Sequence, residues 1–154
     1  MRAYTIRTAA PADAAAICAI LIESALSTHA VLAAGTRQWL AQRADGVLIG
    51  AEIGTGAVLL RSAAVRPEAR GQGIGAALLR RALNEAAAAG CRRAYLFSTD
   101  AGTYWSRQGF REVSAPELVA ALPNAPQVRR YHQQGWLPDE VAWCKDLIED
   151  QTDD

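Results

Sequence analysis

Leu59-Leu60-Arg61-Ser62-Ala63-Ala64-Val65-Arg66-Pro67-Glu68-Ala69-Arg70-Gly71-Gln72-Gly73-Ile74-Gly75 is the stretch that decides the fold. An apolar run stops at Pro67, which cannot donate to a strand ladder, and three alternating glycines then open a run of helical period. Ile74, Ala77, Leu78, Ala82, Leu83 and Ala86 share one helical face, Arg80, Arg81, Asn84 and Glu85 lie off it, and Gly90 is a fitting stop. Strand, turn and helix are predicted in that order. Glycines let successive N–H groups curl inward, the helix mouth adds partial positive charge, and Arg70 supplies a full one. Such a turn suits a pyrophosphate.

Outward from there, residues 39–44, 47–53 and 57–65 read as strands separated by Asp45-Gly46 and Gly54-Thr55-Gly56. Asp-Gly tolerates positive φ at both central positions, so the first two runs should pair antiparallel and the third continue the meander. Residues 4–8 predict a short strand, Pro11-Ala12-Asp13 a helix entry, and residues 14–26 a helix in which Ile17, Leu21 and Ser24/Ala25 recur. Residues 27–37 read as a loop with one helical turn at 29–33, and loops of this kind often carry substrate contacts. Downstream come a strand at 94–98, a helical turn at 103–108, a strand at 110–113 and a helix from Pro116 to Leu122. A Pro-punctuated linker, a polar segment at 128–134 and a last strand at 141–145 follow. The order is mixed α/β, with one domain expected over residues 1–148 and an acidic flexible tail over 149–154.

Composition narrows the partners. A chain of 154 residues with 51% apolar content can bury its own core. Sixteen basic residues balance sixteen acidic ones, so no net field draws nucleic acid or anionic lipid, and an anion site must be local. A small-molecule ligand is expected, with no nucleic acid and no membrane, while a homodimer is compatible with the composition. Cys18, Cys91 and Cys144 are odd in number, far apart and without metal-ligand spacing, which fits a reducing, cytoplasmic compartment and no metal. Arg2 and Arg7 before the apolar run at 14–22 imitate a leader, but Asp13, Glu23 and Pro11 favour an internal amphipathic helix.

Three ligands could use the glycine turn. A mononucleotide P-loop needs a terminal Lys and hydroxyl, and Ala76 and Ala77 stand there instead. The dinucleotide fingerprint is met in spacing by Gly71, Gly73 and Ala76, with Asp100 about where a ribose contact would fall. In that motif, however, the glycines follow their strand directly, whereas Arg66-Pro67-Glu68-Ala69-Arg70 intervenes here. Residues 65–75 instead resemble the acetyl-CoA signature of the GCN5-related N-acetyltransferases (GNAT), Arg/Gln-x-x-Gly-x-Gly/Ala, through Arg70, Gly73 and Gly75. The aromatic pair in Tyr104-Trp105-Ser106-Arg107-Gln108-Gly109-Phe110 is a second element similar to that family, and the strand order follows it across nearly the whole chain.

The resemblance implies an α/β (α+β type) fold: a mixed, mainly antiparallel central sheet of about seven strands flanked by helices. It implies that the strands at 57–65 and 94–98 splay, that the pantetheine arm lies between them, and that acetyl-CoA is the co-substrate. Cofactor contacts then fall on Ala63, Ala64, Val65, Arg70, Gly71, Gln72, Gly73, Ile74 and Gly75, with a backbone N–H at or near Val65 polarising the thioester. A neutral primary amine would attack directly, without a covalent enzyme intermediate. Many members use a tyrosine as acid four residues before the glycine of Gly-Phe, but that position is Trp105, whose indole cannot usefully release a proton. Tyr104 is the substitute acid or a packing residue. Glu52 interrupts an apolar strand and is the candidate base, working through water. With Thr55-Gly56 as a two-residue turn, Glu52 faces Leu59 and shares a face with Arg61, so an ion pair is its other reading. Arg61 could grip an acceptor carboxylate or serve a structural salt bridge, and Thr99 is a further substrate contact. His29 and His132 are read as solvated or packing residues.

More finely, Leu59-Leu60-Arg61-Ser62 and Leu96-Phe97-Ser98-Thr99-Asp100 resemble the branch of N-acetylglutamate synthase-like and arsenic-resistance-operon acetyltransferases. That implies an amino acid or amino-acid analogue as acceptor. A catalytically weak acyl-CoA-binding sensor and a dinucleotide-binding domain are the alternatives.

Overall fold

Apolar runs bounded by turn glycines place β3 (Val47–Ile53) and β4 (Ala57–Val65) where the sequence puts them. The computed structural model describes residues 5–24, 26, 36–42, 47–54, 56–65, 73–99 and 101–147. The expectations placed on Tyr4, Ala25, residues 27–35 with His29, the Asp45-Gly46 turn, Thr55, Pro67, Arg70, Gly71, Gln72, Asp100 and the acidic tail lie outside the described residues. The remaining elements are β1 (Thr5–Thr8), α1 (Ala14–Glu23), β2 (Thr36–Gln42), α2 (Ile74–Ala88), β5 (Arg93–Phe97) and α3 (Gly102–Arg107). After them come β6 (Arg111–Val113), α4 (Ala115–Ala121), α5 (Pro126–Gln134) and β7 (Ala142–Asp146). The seven strands form one mixed, mainly antiparallel sheet in the order β1-β2-β3-β4-β5-β7-β6, flanked by helices. β4 and β5 run parallel from Ala57↔Arg93 to Leu59↔Tyr95, while β1–β2, β5–β7 and β6–β7 are antiparallel.

The Cα framework divides into two compact units, Met1–Ala51 with Leu60–Glu85 and Glu52–Leu59 with Ala86–Asp154. In the first, Ile17, Ile20 and Leu21 of α1 pack with Leu40 of β2 and Ala64 of β4. Glu85 of α2 accepts from Trp39 Nε1 at 3.1 Å and Arg37 Nη1 at 3.2 Å and pairs with Arg81, whose Nη1 also donates to the Ile6 carbonyl at 3.0 Å. In the second, Leu59, Tyr95, Leu118, Leu122, Val128, Ala142 and Cys144 form the core, and each large side chain fully buried there contributes about 2 kcal/mol of transfer free energy.

Most limits fall within a residue of the sequence reading, and three elements depart from it further. α1 ends at Glu23 rather than residue 26, because Ser24 leaves helical geometry and the Leu26 N–H turns back to the Leu21 carbonyl at 2.8 Å. β2 starts at Thr36, not Trp39, since the Gln38 carbonyl accepts from Ala9 N–H at 2.8 Å and its side chain is buried against Gly50. The polar segment at 128–134 is part of a helix, α5, opened by Pro126 and closed by Gly135 at φ 74°.

Candidate functional site

β4 leads to one part of the site and α2 begins it. The alternation of β4 puts Leu60 and Ala64 on one face and Leu59 and Arg61 on the other. Ala64 is buried in the α1 cluster, so what it offers a ligand is backbone. At the mouth of α2, Gly73 stands at φ +75°, is exposed, and among the described residues has no heavy atom within 4 Å of where a Cβ would be. Its carbonyl accepts the first helical bond from Ala77 N–H at 3.1 Å. The N–H groups of Ile74, Gly75 and Ala76 therefore precede the helical ladder, at the positive end of a fifteen-residue dipole. Ile74 is itself buried at 2% exposure and pins that turn to the core. Open space over unpaired amides fits a diphosphate.

Of the remaining candidates, Glu52, Thr99 and Tyr104 belong to the second unit and Arg61 to the first. Glu52 is 1% exposed, and its Oε1 accepts from the Gln127 N–H at 3.1 Å, in the first turn of α5. Its carboxylate thus caps a helix whose own N-cap residue, Ala125, has no capping side chain. The Gly54 N–H donates to the Ala57 carbonyl at 2.8 Å across the turn, as a two-residue connection requires, and counting back sets Glu52 opposite Leu59. Arg61 is 7% exposed. Thr99 is exposed in the bend after β5, next to Ser98, whose carbonyl accepts from Trp143 Nε1 at 2.9 Å.

Trp105 and Tyr104 divide their roles clearly. Trp105 is buried, edge-on to Phe110 at 5.4 Å, so the position where the family often has its acid is a packing position here. Tyr104 is 41% exposed and stands edge-on to Trp105 at 4.9 Å. Burial pushes its phenol above the ordinary value near 10, so it holds its proton at neutral pH. Burial likewise pushes up the Cys91 thiol and, most strongly among its influences, that of Cys144, which leaves neither poised as a nucleophile. His132 is exposed in the last turn of α5.

Sequence reasoning passed over α5. Gln127 Nε2 is bonded to Tyr131 Oη at 3.2 Å, Tyr131 packs tilted on Phe97 at 5.1 Å and edge-on to Trp136 at 5.5 Å, and the Arg130 guanidinium lies 5.6 Å from the Trp136 ring centre. Pro126 and Gly135 were the available signal. Among the described residues no group of His, Cys, Asp and Glu could hold a metal ion, and no helix is long and apolar enough to cross a membrane.

Comparison with known proteins adds the following. Residues 34–112 match the family model described as an acetyltransferase (GNAT) domain. No curated protein sequence matches the chain. Among solved structures, N-acetylglutamate synthase from Neisseria gonorrhoeae, complexed with coenzyme A and N-acetyl-glutamate, is similar at TM-score 0.73 and 18% identity, covering 97% of this chain. The chain spans only 36% of that synthase's length. A GNAT-family acetyltransferase from Staphylococcus aureus is similar at TM-score 0.75 and 18% identity over 95% of this chain and 100% of its own. A Mycobacterium tuberculosis protein in complex with coenzyme A is similar at TM-score 0.71 and 18% identity over 94% of this chain and 99% of its own. At these identities the likeness is one of fold.

Proposed function

Because the chain belongs to the GNAT acetyltransferase family, we propose that it transfers an acetyl group from acetyl-CoA to the primary amine of an amino acid or amino-acid analogue. The observation that carries the reading is the mouth of α2, where left-handed Gly73 leaves open space over the amides of Ile74 and Gly75. Those amides, with Arg70, Gly71 and Gln72 in the connection before them, hold the diphosphate. The backbone of Ala63, Ala64 and Val65 runs beside the pantetheine arm, and an N–H at Val65 polarises the thioester carbonyl.

When bound, acetyl-CoA supplies a thioester whose carbonyl carbon the amine attacks and whose C–S bond breaks, with one proton passing overall from nitrogen to sulfur. Tyr104, protonated at neutral pH, donates to the departing thiolate. A thiol of pKa about 8.5 leaves readily, so this donation contributes modestly. The amine must arrive neutral, and it reacts directly, without an acyl-enzyme. Arg61 offers a guanidinium fork to the acceptor's acid group, and Thr99 lies exposed at the end of β5. An amino-acid acceptor draws support from Arg61 and from the Neisseria synthase, which shares this fold and was crystallised with N-acetyl-glutamate.

Thiol release from acetyl-CoA, followed across glutamate, aspartate and their phosphinic and arsonic analogues, tests the proposal. Turnover with an acidic amine, lost when the acid group is removed, is expected. Tight coenzyme A binding with no turnover on any amine would make the chain a sensor instead, a reading that the buried Trp105 at the usual acid position favours.

A further inference from the structure

The candidate base and the overlooked helix are one device. Glu52 comes from β3, is 1% exposed, and spends Oε1 on the Gln127 N–H, the second residue of α5. α5 has no side-chain cap of its own, and a carboxylate at that end is favoured by the helix dipole. One turn on, about 6 Å along the axis, Tyr131 packs on Phe97 at the last position of β5. That is the carboxyl end of the strand running parallel to β4.

Gln127 makes this face more than packing. Its Nε2 reaches Tyr131 Oη at 3.2 Å, while its Oε1 is buried with no hydrogen-bond partner among the described residues. Turning the amide over only moves the vacancy to the other end. A buried amide end left unpaired is destabilising, and an incoming polar ligand relieves it.

We propose that Glu52 is a positioning residue which anchors α5, and that α5 reads the acceptor through Gln127, whose buried amide hydrogen-bonds the polar end of the incoming amino acid. This rests on the acetyl-transfer reading for the identity of the ligand, but the anchor itself does not. Glu52 then needs no proton-transfer role, since an amide oxygen in its place caps α5 equally well.

Glu52→Gln and Glu52→Ala separate the two roles. Amide hydrogen exchange of the peptide spanning residues 126–134 should be unchanged in Glu52→Gln and at least about tenfold faster in Glu52→Ala, the loss of one helix cap. With L-glutamate or L-aspartate as acceptor, Glu52→Gln should keep kcat, KM and the pH profile. Glu52→Ala and Gln127→Ala should each raise the acceptor KM about tenfold with kcat and the acetyl-CoA KM held, as loss of uniform binding requires. Equal exchange in Glu52→Ala and wild type overturns the anchor, whatever the activity. A fall in kcat of about a hundredfold or more in both Glu52 variants, with the acid limb of the pH profile lost, makes Glu52 the general base. An unchanged acceptor KM in Gln127→Ala overturns the reading of α5. Absence of turnover on every amine, with α5 protection still dependent on residue 52, sinks the transfer reading and leaves the anchor standing.

Discussion

Replacing Gly73 once by alanine and once by glutamate separates its service to the backbone from its service to the ligand. At φ +75° an L-residue pays a left-handed penalty of about 1–2 kcal/mol, offset in part by the reduced freedom of the unfolded chain, so about 1 kcal/mol is lost. No steric term adds to it, because among the described residues nothing lies within 4 Å of the new Cβ. For a chain of this length that is a fall in melting temperature of about 3 °C. Glutamate carries the same backbone penalty but puts a carboxylate at the mouth of α2, where the dipole returns about 0.3–1 kcal/mol. Gly73→Glu should therefore melt at or above Gly73→Ala. Binding should run the other way: at about 4 Å and an effective dielectric near 20, two like charges repel by about 4 kcal/mol, so coenzyme A should bind at least about a hundredfold more weakly to Gly73→Glu. Calorimetric titration with coenzyme A beside thermal melts gives both numbers. A folded Gly73→Glu protein that binds coenzyme A within about threefold of Gly73→Ala would refute the reasoning.

Tyr104→Phe should lower kcat by about tenfold or less, below the usual range for a general acid because the thiolate leaves well, with the acetyl-CoA KM unchanged; an unaltered kcat returns Tyr104 to packing against Trp105. Acid should destabilise the first unit: Asp13 is held well below the carboxylate range by hydrogen bonds from Arg7 and the Ala10 N–H. Burial pushes Glu85 up, but donors from Arg81, Trp39 and Arg37 outweigh it and hold it lower. Both folded values lie below the unfolded one of about 4, so their stabilisation is complete above that pH and disappears as pH falls through the folded values. Melts from pH 7 to 2 should show this slope reduced in Glu85→Gln and in Asp13→Asn, and a slope equal to wild type in both variants would count against it. Gly54→Ala sets a Cβ 2.7 Å from Leu122 Cδ2 and should cost about 1–3 kcal/mol in denaturant titration. The loss should be largely absent in the Leu122→Ala background, and simple additivity would rule out the clash.

The sheet was readable wherever one chemical signal governed one element. β3 and β4 are apolar runs between turn glycines, and α2 combines an apolar face with a glycine at each end, so their limits emerge from local pattern. β2 was cut short because Thr36-Arg37-Gln38 looks like loop, while its strand geometry comes from pairing with β1 and from the space Gly50 leaves for Gln38. α5 carries only Val128 and Tyr131 as large apolar or aromatic side chains, too few to set a period, and its stability depends on a carboxylate 75 positions earlier in the chain. The same distance explains Glu52. A lone acid in an apolar strand signals a buried task, but only the fold reveals that the task includes capping a helix. Gly73 was the easiest feature to read, since left-handed backbone at a helix mouth favours glycine in the sequence.

Titrating the protein with coenzyme A, and separately with pantetheine and NADH, tests the account most directly. Coenzyme A should bind, and pantetheine, which lacks the diphosphate, should bind at least about tenfold more weakly, the value of one lost charge-assisted contact or more. Equal affinity for pantetheine, or heat with NADH and none with coenzyme A, would contradict it.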